Sequence, residues 1–276
     1  MKKIVMILPE SGKYFGKLLT QGVYAALNGN VPITAIGLLE DRRPIGAVAG
    51  MIEEGDIFSV LSLYVDPAYR RQGGGRMLIE ALQTLLYSRN LPTAILSYIE
   101  GEGDSDTISP FMEALGILED KNSEKLYSGK LTTFIDYGLG EGTIISDDVR
   151  SISELDEASV KNFMDFIRLS NAGVKGGGLA SFKLDKETSF VTVRNGEISG
   201  YLIAGHTKRH PEDMTVQLSP DLSEDELNAL LGELILALGE RTDSISSVRF
   251  PVPDTRYAYL FEEIDGVRDI QHNYLL

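Results

Sequence analysis

Two spacings of apolar residues alternate along the chain, which predicts a mixed α/β protein. Alternating apolar runs predict strands near Ile33–Leu39, Ile45–Ile52 and Ile57–Val65, the last two joined by a hairpin around Glu53–Asp56. Apolar residues three and four positions apart between Met77 and Leu86 predict an amphipathic helix. The same patterns predict five further elements in this half: a strand Ile4–Ile7, a helix within Gly12–Leu27, a strand Ala94–Ile99, a helix near Ile108–Leu115 and a strand near Lys125–Phe134.

The second half of the chain repeats this order of elements. Three pairs of residues that open or end an element lie 154, 153 and 150 positions apart: Gly46 and Gly200, Pro67 and Pro220, and Gly116 and Gly266. Such similar spacings predict two copies of one fold, although two unrelated α/β domains remain the alternative. We expect one domain over residues 1–135 and another over 143–276, joined by the glycine-rich segment Asp136–Gly142.

The charge balance excludes several classes of function. The 276 residues carry a formal net charge of −15, no cysteine and three histidines. General nucleic-acid or anionic-membrane binding is therefore disfavoured, and disulfides, thiol nucleophiles and thiolate metal sites are excluded. We expect no metal site. The short apolar run after Lys2-Lys3 does not make a signal peptide, so we expect a soluble, cytoplasmic protein.

A glycine-rich turn carries the strongest chemical signal in the sequence. One predicted strand ends with Leu63-Tyr64-Val65. The turn after it contains Arg70-Arg71-Gln72-Gly73-Gly74-Gly75-Arg76, and the long amphipathic helix starts at the end of this turn. Glycines leave backbone N–H groups uncovered, and the start of a helix adds unpaired donors and a positive dipole end. Such a turn suits a phosphate or pyrophosphate; a solvated turn with a capping glycine is the alternative.

Other phosphate loops do not match this turn. A Walker A loop needs Gly-Lys-Ser/Thr at the helix start, but Arg76 and Met77 follow Gly75. A Rossmann turn follows the first strand of its βαβ unit and needs an acidic residue about 20 positions on, and Leu91–Thr93 offers none.

The stretch from Tyr64 to Arg76 resembles the acyl-CoA motif of the GNAT acyltransferase superfamily, Arg/Gln-x-x-Gly-x-Gly/Ala. Arg70, Gly73 and Gly75 match its fixed positions, and the resemblance covers about residues 1–135. It implies two GNAT-like domains in tandem, each a mostly antiparallel sheet flanked by helices, with acetyl-CoA or another acyl-CoA as cosubstrate. It also implies that backbone groups of Leu63, Tyr64 and Val65 hold the pantetheine arm, and N–H groups of Arg71 to Arg76 the pyrophosphate.

The resemblance is weaker at the acid and base positions. Ser59 stands where family members often carry a glutamate, and Met112 stands where a tyrosine is common. A glutamate at the end of the following strand is the other family pattern; counting back from Gly116 gives Glu100, whereas counting from the glycine loop gives Ser97. Glu100 is thus the one candidate catalytic base. The alternative interpretation is that Glu100 is an ordinary solvated carboxylate. Its neighbour Tyr98 is expected to point to the opposite face and pack there.

The second half lacks the motif at the corresponding place. It has Ser219–Leu227, in which Asp221 or Ser223 caps a helix that begins with Glu224, Asp225 and Glu226. Carboxylates thus fill the phosphate position, and we expect no CoA there. Net charge is −4 up to residue 140 and −11 after it. This acidic half is either a solvated scaffold or a negatively charged surface that attracts a cationic amine to the first domain.

The sequence therefore predicts an N-acyltransferase that moves acetyl from acetyl-CoA to a primary amine of a small cationic molecule or a lysine. The alternatives are a non-catalytic acyl-CoA sensor, favoured by Ser59 and Met112, and a scaffold that binds no CoA.

Overall fold

The computed structural model describes residues 1–29, 31–53, 56–91, 93–100, 107–140, 148–170, 182–194, 197–207, 211–219, 222–252 and 257–276. The strands are β1 Lys2–Met6, β2 Ile33–Glu40, β3 Arg43–Ile52, β4 Ile57–Val65, β5 Thr93–Ile99, β6 Lys125–Lys130, β7 Val149–Ser151, β8 Phe182–Arg194, β9 Glu197–Thr207, β10 Asp213–Leu218, β11 Ser247–Val252, β12 Arg268–Asp269 and β13 Gln271–Leu275. The helices are α1 Pro9–Phe15, α2 Gln21–Leu27, α3 Gly74–Ser88, α4 Ile108–Leu115, α5 Leu131–Tyr137, α6 Glu157–Ser170, α7 Glu224–Gly239 and α8 Tyr259–Glu262.

The chain forms two compact units. The first contains residues 1–121 and 272–276, and the second contains residues 122–271. In the part of the chain that the structure describes, no helix is long and apolar enough to cross a membrane. The hairpin turn at residues 54–55, the predicted loop 101–106, part of the predicted linker (141–142) and the predicted N-cap Asp221 lie outside the described residues.

The first unit is a six-stranded sheet with helices on both faces. Its strand order is β1-β2-β3-β4-β5-β13, and the β4–β5 pair is parallel whereas β1 to β4 are antiparallel. α1 and α2 cover one face and pack on the alanines of β2 and β3, while α3 and α4 cover the other face. The predicted helix within Gly12–Leu27 is two helices, because a 3₁₀ turn follows α1 and Thr20 caps α2.

The second unit repeats this arrangement. Its strand order is β12-β6-β11-β10-β9-β8-β7, and the β10–β11 pair is parallel whereas β9–β10 is antiparallel, as in the pairs of β4 with β5 and β3. α7 packs its leucines into the larger core of this unit, and α6 packs against β8 and β9 in a smaller one. The repeated fold predicted from the sequence is therefore present in both halves.

The two sheets exchange one strand each. β13, at the end of the chain, lies beside β5 in the first sheet, and β6 lies beside β11 in the second. The first unit therefore ends before residue 135, the predicted boundary, and also includes residues 272–276. The second unit starts before residue 143, its predicted first residue. The predicted strand Lys125–Phe134 is also too long: its last residues begin α5, where Leu131 and Phe134 are buried one helical turn apart. Strand pairing decides which sheet a strand joins, and pairing partners distant in sequence leave no local signal.

Candidate functional site

The turn before α3 places backbone donors at the carboxyl end of β4. Gly73 is the N-cap of α3 and has a φ of 80°, a left-handed conformation that side chains disfavour. The first bond within the helix runs from Met77 N–H to Gly73 O at 3.1 Å, so the N–H groups of Gly74, Gly75 and Arg76 precede the hydrogen-bonded ladder. The helix begins with no acidic residue in its first turn. This start is suited to an anion.

The other two glycines serve close packing. A Cβ on Gly74 would lie 3.0 Å from Leu38 Cδ2, and a Cβ on Gly75 would lie 2.9 Å from Phe111 Cζ. Both contacts are tighter than an ordinary side chain accepts, so these glycines let α3 approach β2 and α4. Only Gly73, whose Cβ would meet open space, requires the left-handed backbone.

The three arginines of the turn lie in different surroundings. Arg70 donates from Nε to Val65 O at 2.9 Å, and its guanidinium lies 5.3 Å from the centre of the Tyr64 ring. It therefore braces the turn against β4. Arg76 is exposed and donates to Ala114 O, near the end of α4, at 2.9 Å. Arg71 is exposed with a φ of 61°.

A lysine that the motif does not contain joins this turn. Lys2 Nζ, on β1, donates to Gln72 O at 2.5 Å, and Gln72 is exposed. No sequence pattern assigned Lys2 to the turn, because its pairing depends on the register of β1 in the sheet. Lys2, Arg71 and Arg76 together place positive charge around the start of α3. The donors and cations present fit a pyrophosphate.

β4 and β5 separate beside this turn. Their parallel ladder runs from Ile57–Thr93 to Val60–Leu96 and pairs no residue beyond it among those described. The register of β4 with β3 also shifts between Ala49 and Gly50, which places an extra residue, Leu61, in β4. Half of the backbone groups after the bulge point away from β3, toward the side of β5. Leu63, Tyr64 and Val65 are half-buried there, where the family resemblance predicts an extended ligand arm.

Glu100 comes directly after β5 and contacts the end of the chain. Its Oε1 lies 3.0 Å from Nε2 of His272 on β13, and Nδ1 of the same ring lies 2.6 Å from Oε1 of Glu119. The side chain of Glu100 is 35% exposed and that of His272 is 19% exposed. Glu100 is therefore held by an imidazole. No sequence pattern linked His272 or Glu119 to Glu100, because they lie in the exchanged strand and after α4.

Tyr98 contacts the same group, contrary to the expectation that it points to the opposite face. Its ring stacks on His272 with the ring centres 4.9 Å apart, and its hydroxyl lies 2.6 Å from Ser109 Oγ. Residues two apart in a strand share a face, so Tyr98 and Glu100 lie on one side of the sheet. Burial raises the pKa of Tyr98 to about 12.

The other two family positions are buried. Met112, on α4, is fully buried in the core, and a thioether transfers no proton. Ser59 is buried on β4, and its hydroxyl has no hydrogen-bond partner within the described ranges. Ser97, the alternative to Glu100, is hydrogen-bonded to Asn273.

The helix of the second unit that corresponds to α3 begins with its own carboxylates. Ser223 caps α7, accepting from Glu226 N–H at 3.3 Å and donating to Glu226 Oε2 at 2.7 Å. Arg194 lies 3.4 Å from Glu226, and the Tyr259 hydroxyl donates to Glu224 at 2.6 Å. Burial opposes the ionisation of Glu226, but the Ser223 bonds and the charge of Arg194 outweigh it and lower the pKa.

Comparisons with known proteins concern the family and the fold. The profile of the acetyltransferase (GNAT) family matches residues 10–107. A tandem GNAT protein from the clavulanic acid biosynthesis pathway is 14% identical and superposes with a TM-score of 0.56 over 100% of this chain and 97% of its own. A GCN5-related N-acetyltransferase from Anabaena variabilis is 12% identical, with a TM-score of 0.59 over 100% of this chain and 72% of its own.

A third structure extends the same likeness. A GCN5-related N-acetyltransferase from Sphaerobacter thermophilus is 13% identical, with a TM-score of 0.53 over 99% of this chain and 94% of its own. At these identities the likeness concerns the fold, and it extends through both halves. No curated protein matches the sequence.

Proposed function

Because the profile of the acetyltransferase (GNAT) family matches residues 10–107 and the whole chain has the tandem GNAT fold, we propose that the protein is an N-acyltransferase that uses acetyl-CoA. The observation that carries the proposal is the start of α3, where the N–H groups of Gly74, Gly75 and Arg76 precede the helical hydrogen bonds and Lys2, Arg71 and Arg76 lie nearby. The pyrophosphate of acetyl-CoA would bind there.

The gap between β4 and β5 would hold the reacting end of the cosubstrate. Backbone groups of Leu63, Tyr64 and Val65 that point away from β3 would hold the pantetheine arm and the thioester carbonyl. An N–H that donates to this carbonyl also stabilises the oxyanion that forms when the amine attacks. The chain thus holds the thioester beside the carboxyl end of β5, where Glu100 lies.

The reaction needs two proton transfers. Glu100 would take one proton from the ammonium of the acceptor, and the free amine would then attack the carbonyl carbon. The C–N bond forms, the C–S bond breaks, and the second proton passes from nitrogen to sulfur to give free CoA thiol. Positioning an amine beside the thioester supplies about 7–11 kcal/mol, whereas a general acid or base gives about 10²–10⁴-fold. A chain without the usual tyrosine at Met112 therefore keeps most of the rate enhancement.

The acceptor we propose is a primary amine of a small cationic molecule or of a lysine. The chain carries a net charge of −15, and most of the acidic excess lies in the second half. An acidic protein attracts cations and repels polyanions.

A second candidate is a non-catalytic sensor of acyl-CoA. The buried Met112 and Ser59, at positions where relatives carry acid and base, favour it. A sensor would bind acetyl-CoA and release no thiol with any amine.

Calorimetric titration with acetyl-CoA tests the site. Gly73→Asp places a carboxylate in the anion site and strains the backbone. We expect affinity to fall at least about tenfold, because each hydrogen bond lost to a charged group is worth about 1.5–3 kcal/mol. Gly266→Asp is the matched control, since Gly266 has a φ of 87°, no crowding around its Cβ, and a position in the second unit. Equal affinity in both variants would contradict the proposed site.

A free-thiol assay over a panel of amines tests the reaction. Thiol release with a cationic amine, lost in Gly73→Asp and kept in Gly266→Asp, would establish the enzyme and its acceptor class. Binding of acetyl-CoA without thiol release over the whole panel would favour the sensor.

A further inference from the structure

His272 joins two carboxylates that lie far apart in the sequence. Its Nδ1 lies 2.6 Å from Glu119 and its Nε2 lies 3.0 Å from Glu100. His272 belongs to β13, the strand that the end of the chain contributes to the first sheet. We call these three residues the Glu–His–Glu cluster.

The two contacts of His272 are both hydrogen bonds only if the cluster holds two protons. Each nitrogen–oxygen contact is a hydrogen bond only if one proton lies between the two atoms. Either the imidazole is protonated between two carboxylates, or it is neutral and one glutamate is a carboxylic acid. Both forms carry a net charge of −1. Loss of one proton gives a form of charge −2, in which Glu100 and His272 are ready to accept a proton.

We propose that His272 is a positioning residue that makes Glu100 an effective base: the Glu–His–Glu cluster, and not Glu100 alone, takes up the proton released by the acceptor amine. The inference rests on the proposed function and deepens it. An isolated carboxylate with a pKa near 4.3 is a poor base for an alkylammonium ion, and proton transfer is most efficient when the pKa of the base lies near the working pH. An imidazole has an ordinary pKa of about 6.5, so a proton shared with His272 is held by a group that titrates closer to neutral pH than a carboxylate does.

The electrostatics of the surroundings agree with this role. Burial lowers the pKa of His272, but the hydrogen bonds and charges of Glu119 and Glu100 outweigh it and raise the pKa above its ordinary value. Among the described residues, neighbouring elements contribute hydroxyls: Tyr98 on β5 stacks on the ring, and Ser109 on α4 bridges Tyr98 and Tyr274 on β13. The pKa of Tyr98 near 12 keeps that hydroxyl neutral at neutral pH.

The exposure of the cluster suits proton transfer and its geometry does not suit a metal. Glu100 is 35% exposed and Glu119 is 34% exposed, so solvent reaches both carboxylates, and Glu100 is the one that lies at the end of β5. A metal site would need ligand atoms that converge on one point. Here each ring nitrogen is already directed at a different carboxylate.

Nuclear magnetic resonance titration tests the cluster without a substrate. The chain has three histidines, so His272→Gln and His206→Gln assign the imidazole signals. We expect His272 to titrate above pH 6.5 in the wild type and at lower pH in Glu100→Gln and in Glu119→Gln. Titration of His272 at or below 6.5, or no response to Glu100→Gln, would overturn the proposal.

The pH profile of acetyl transfer tests the role of the cluster in catalysis. With an amine identified by the thiol assay, we expect kcat/KM of the wild type to rise through the apparent pKa of the cluster. In His272→Gln the rise should shift or vanish, with kcat/KM at neutral pH at least about tenfold lower. Glu119→Gln, which keeps Glu100 and His272, should move the rise to lower pH. An unchanged profile in both variants would overturn the proposal.

Two controls distinguish the loss of the shared proton from a general change in the protein. His206→Gln replaces a histidine of the second unit, whose Nδ1 lies 3.1 Å from Asp213 O, and should leave the profile unchanged. Unchanged acetyl-CoA affinity in His272→Gln would show that β13 is still in place. If the wild type does not bind acetyl-CoA, the proposed function and the catalytic role of the cluster are both wrong. The resonance titration would still report whether His272 shares its protons with the two glutamates.

Discussion

α3 and α7 occupy equivalent places in two copies of one fold, yet they begin in opposite ways. α3 follows Gly73, and cationic side chains surround its first turn. α7 follows Ser223, and three carboxylates fill its first turn. Every helix leaves unpaired N–H groups at its start, and these are satisfied either by the chain or by a ligand. In the second unit the chain satisfies these donors through Ser223, whereas the start of α3 in the first unit has no acidic residue in its first turn and is the proposed anion site.

The two units also differ in where their last strand comes from. The first sheet takes β13 from the end of the chain, and the second takes β6 from its middle. Tyr274 and Asn273 on β13 are buried against the first unit, and Leu276 N–H donates to Ala94 O at 2.9 Å. The candidate active site of the first unit therefore depends on residues 272–276, which follow the second unit in the sequence.

The largest effect we predict comes from removing the anchor of the exchanged strand. Tyr274→Ala should destabilise the first unit by about 3–5 kcal/mol, as for other buried aromatic residues truncated to alanine. Leu275→Ala, at the neighbouring residue that is 49% exposed, should cost about 0.5 kcal/mol or less. Hydrogen exchange followed by mass spectrometry on peptides of each unit measures the effect.

The pattern of protection decides whether the strand exchange is correct. Loss of protection should appear in β4 and β5 of the first unit. If protection falls in β10 and β11 instead, Tyr274 belongs to the second unit and the assignment of β13 is wrong.

A smaller effect follows from the cap of α7. Ser223→Ala removes the side chain that bonds to Glu226 N–H and should destabilise the second unit by about 1 kcal/mol. Affinity for acetyl-CoA should not change, because the proposed site lies in the first unit. Urea denaturation and calorimetry measure the two quantities. Ser244→Ala, which removes an exposed turn hydroxyl, is the control. A loss of affinity in Ser223→Ala would place cosubstrate binding at α7 as well.

The smallest effect is the pH dependence of the same cap. The pKa of Glu226 is lower in the folded protein than in the unfolded chain, where it is about 4.3. The ionised carboxylate therefore stabilises the fold at pH values above about 4.3, and this stabilisation is lost as the pH falls through the pKa of the folded state. Glu226→Gln should therefore destabilise the protein more at pH 7 than at about pH 3. Urea denaturation at both values measures this difference. Equal destabilisation at both would show that the Glu226 charge does not contribute.

Local patterns were sufficient to predict several elements and to propose the anion site. The bounds predicted for Ile57–Val65 and Ile108–Leu115 are those of the structure, and the helix after the glycines begins where predicted. These predictions depend on periodicity and on backbone chemistry within a few residues. The acidic start of α7 was equally predictable, since Ser223 and Glu226 form a local capping pair.

The tertiary structure decided which sheet β6 and β13 join, and with that the surroundings of Glu100. The sequence showed a carboxylate after a strand, and only the pairing of β5 with β13 placed His272 between Glu100 and Glu119. Lys2 entered the glycine turn in the same way, through the register of β1. Periodicity records which side of a strand is buried, but it does not record which strand lies beside it. Contacts between distant segments therefore had to come from the fold.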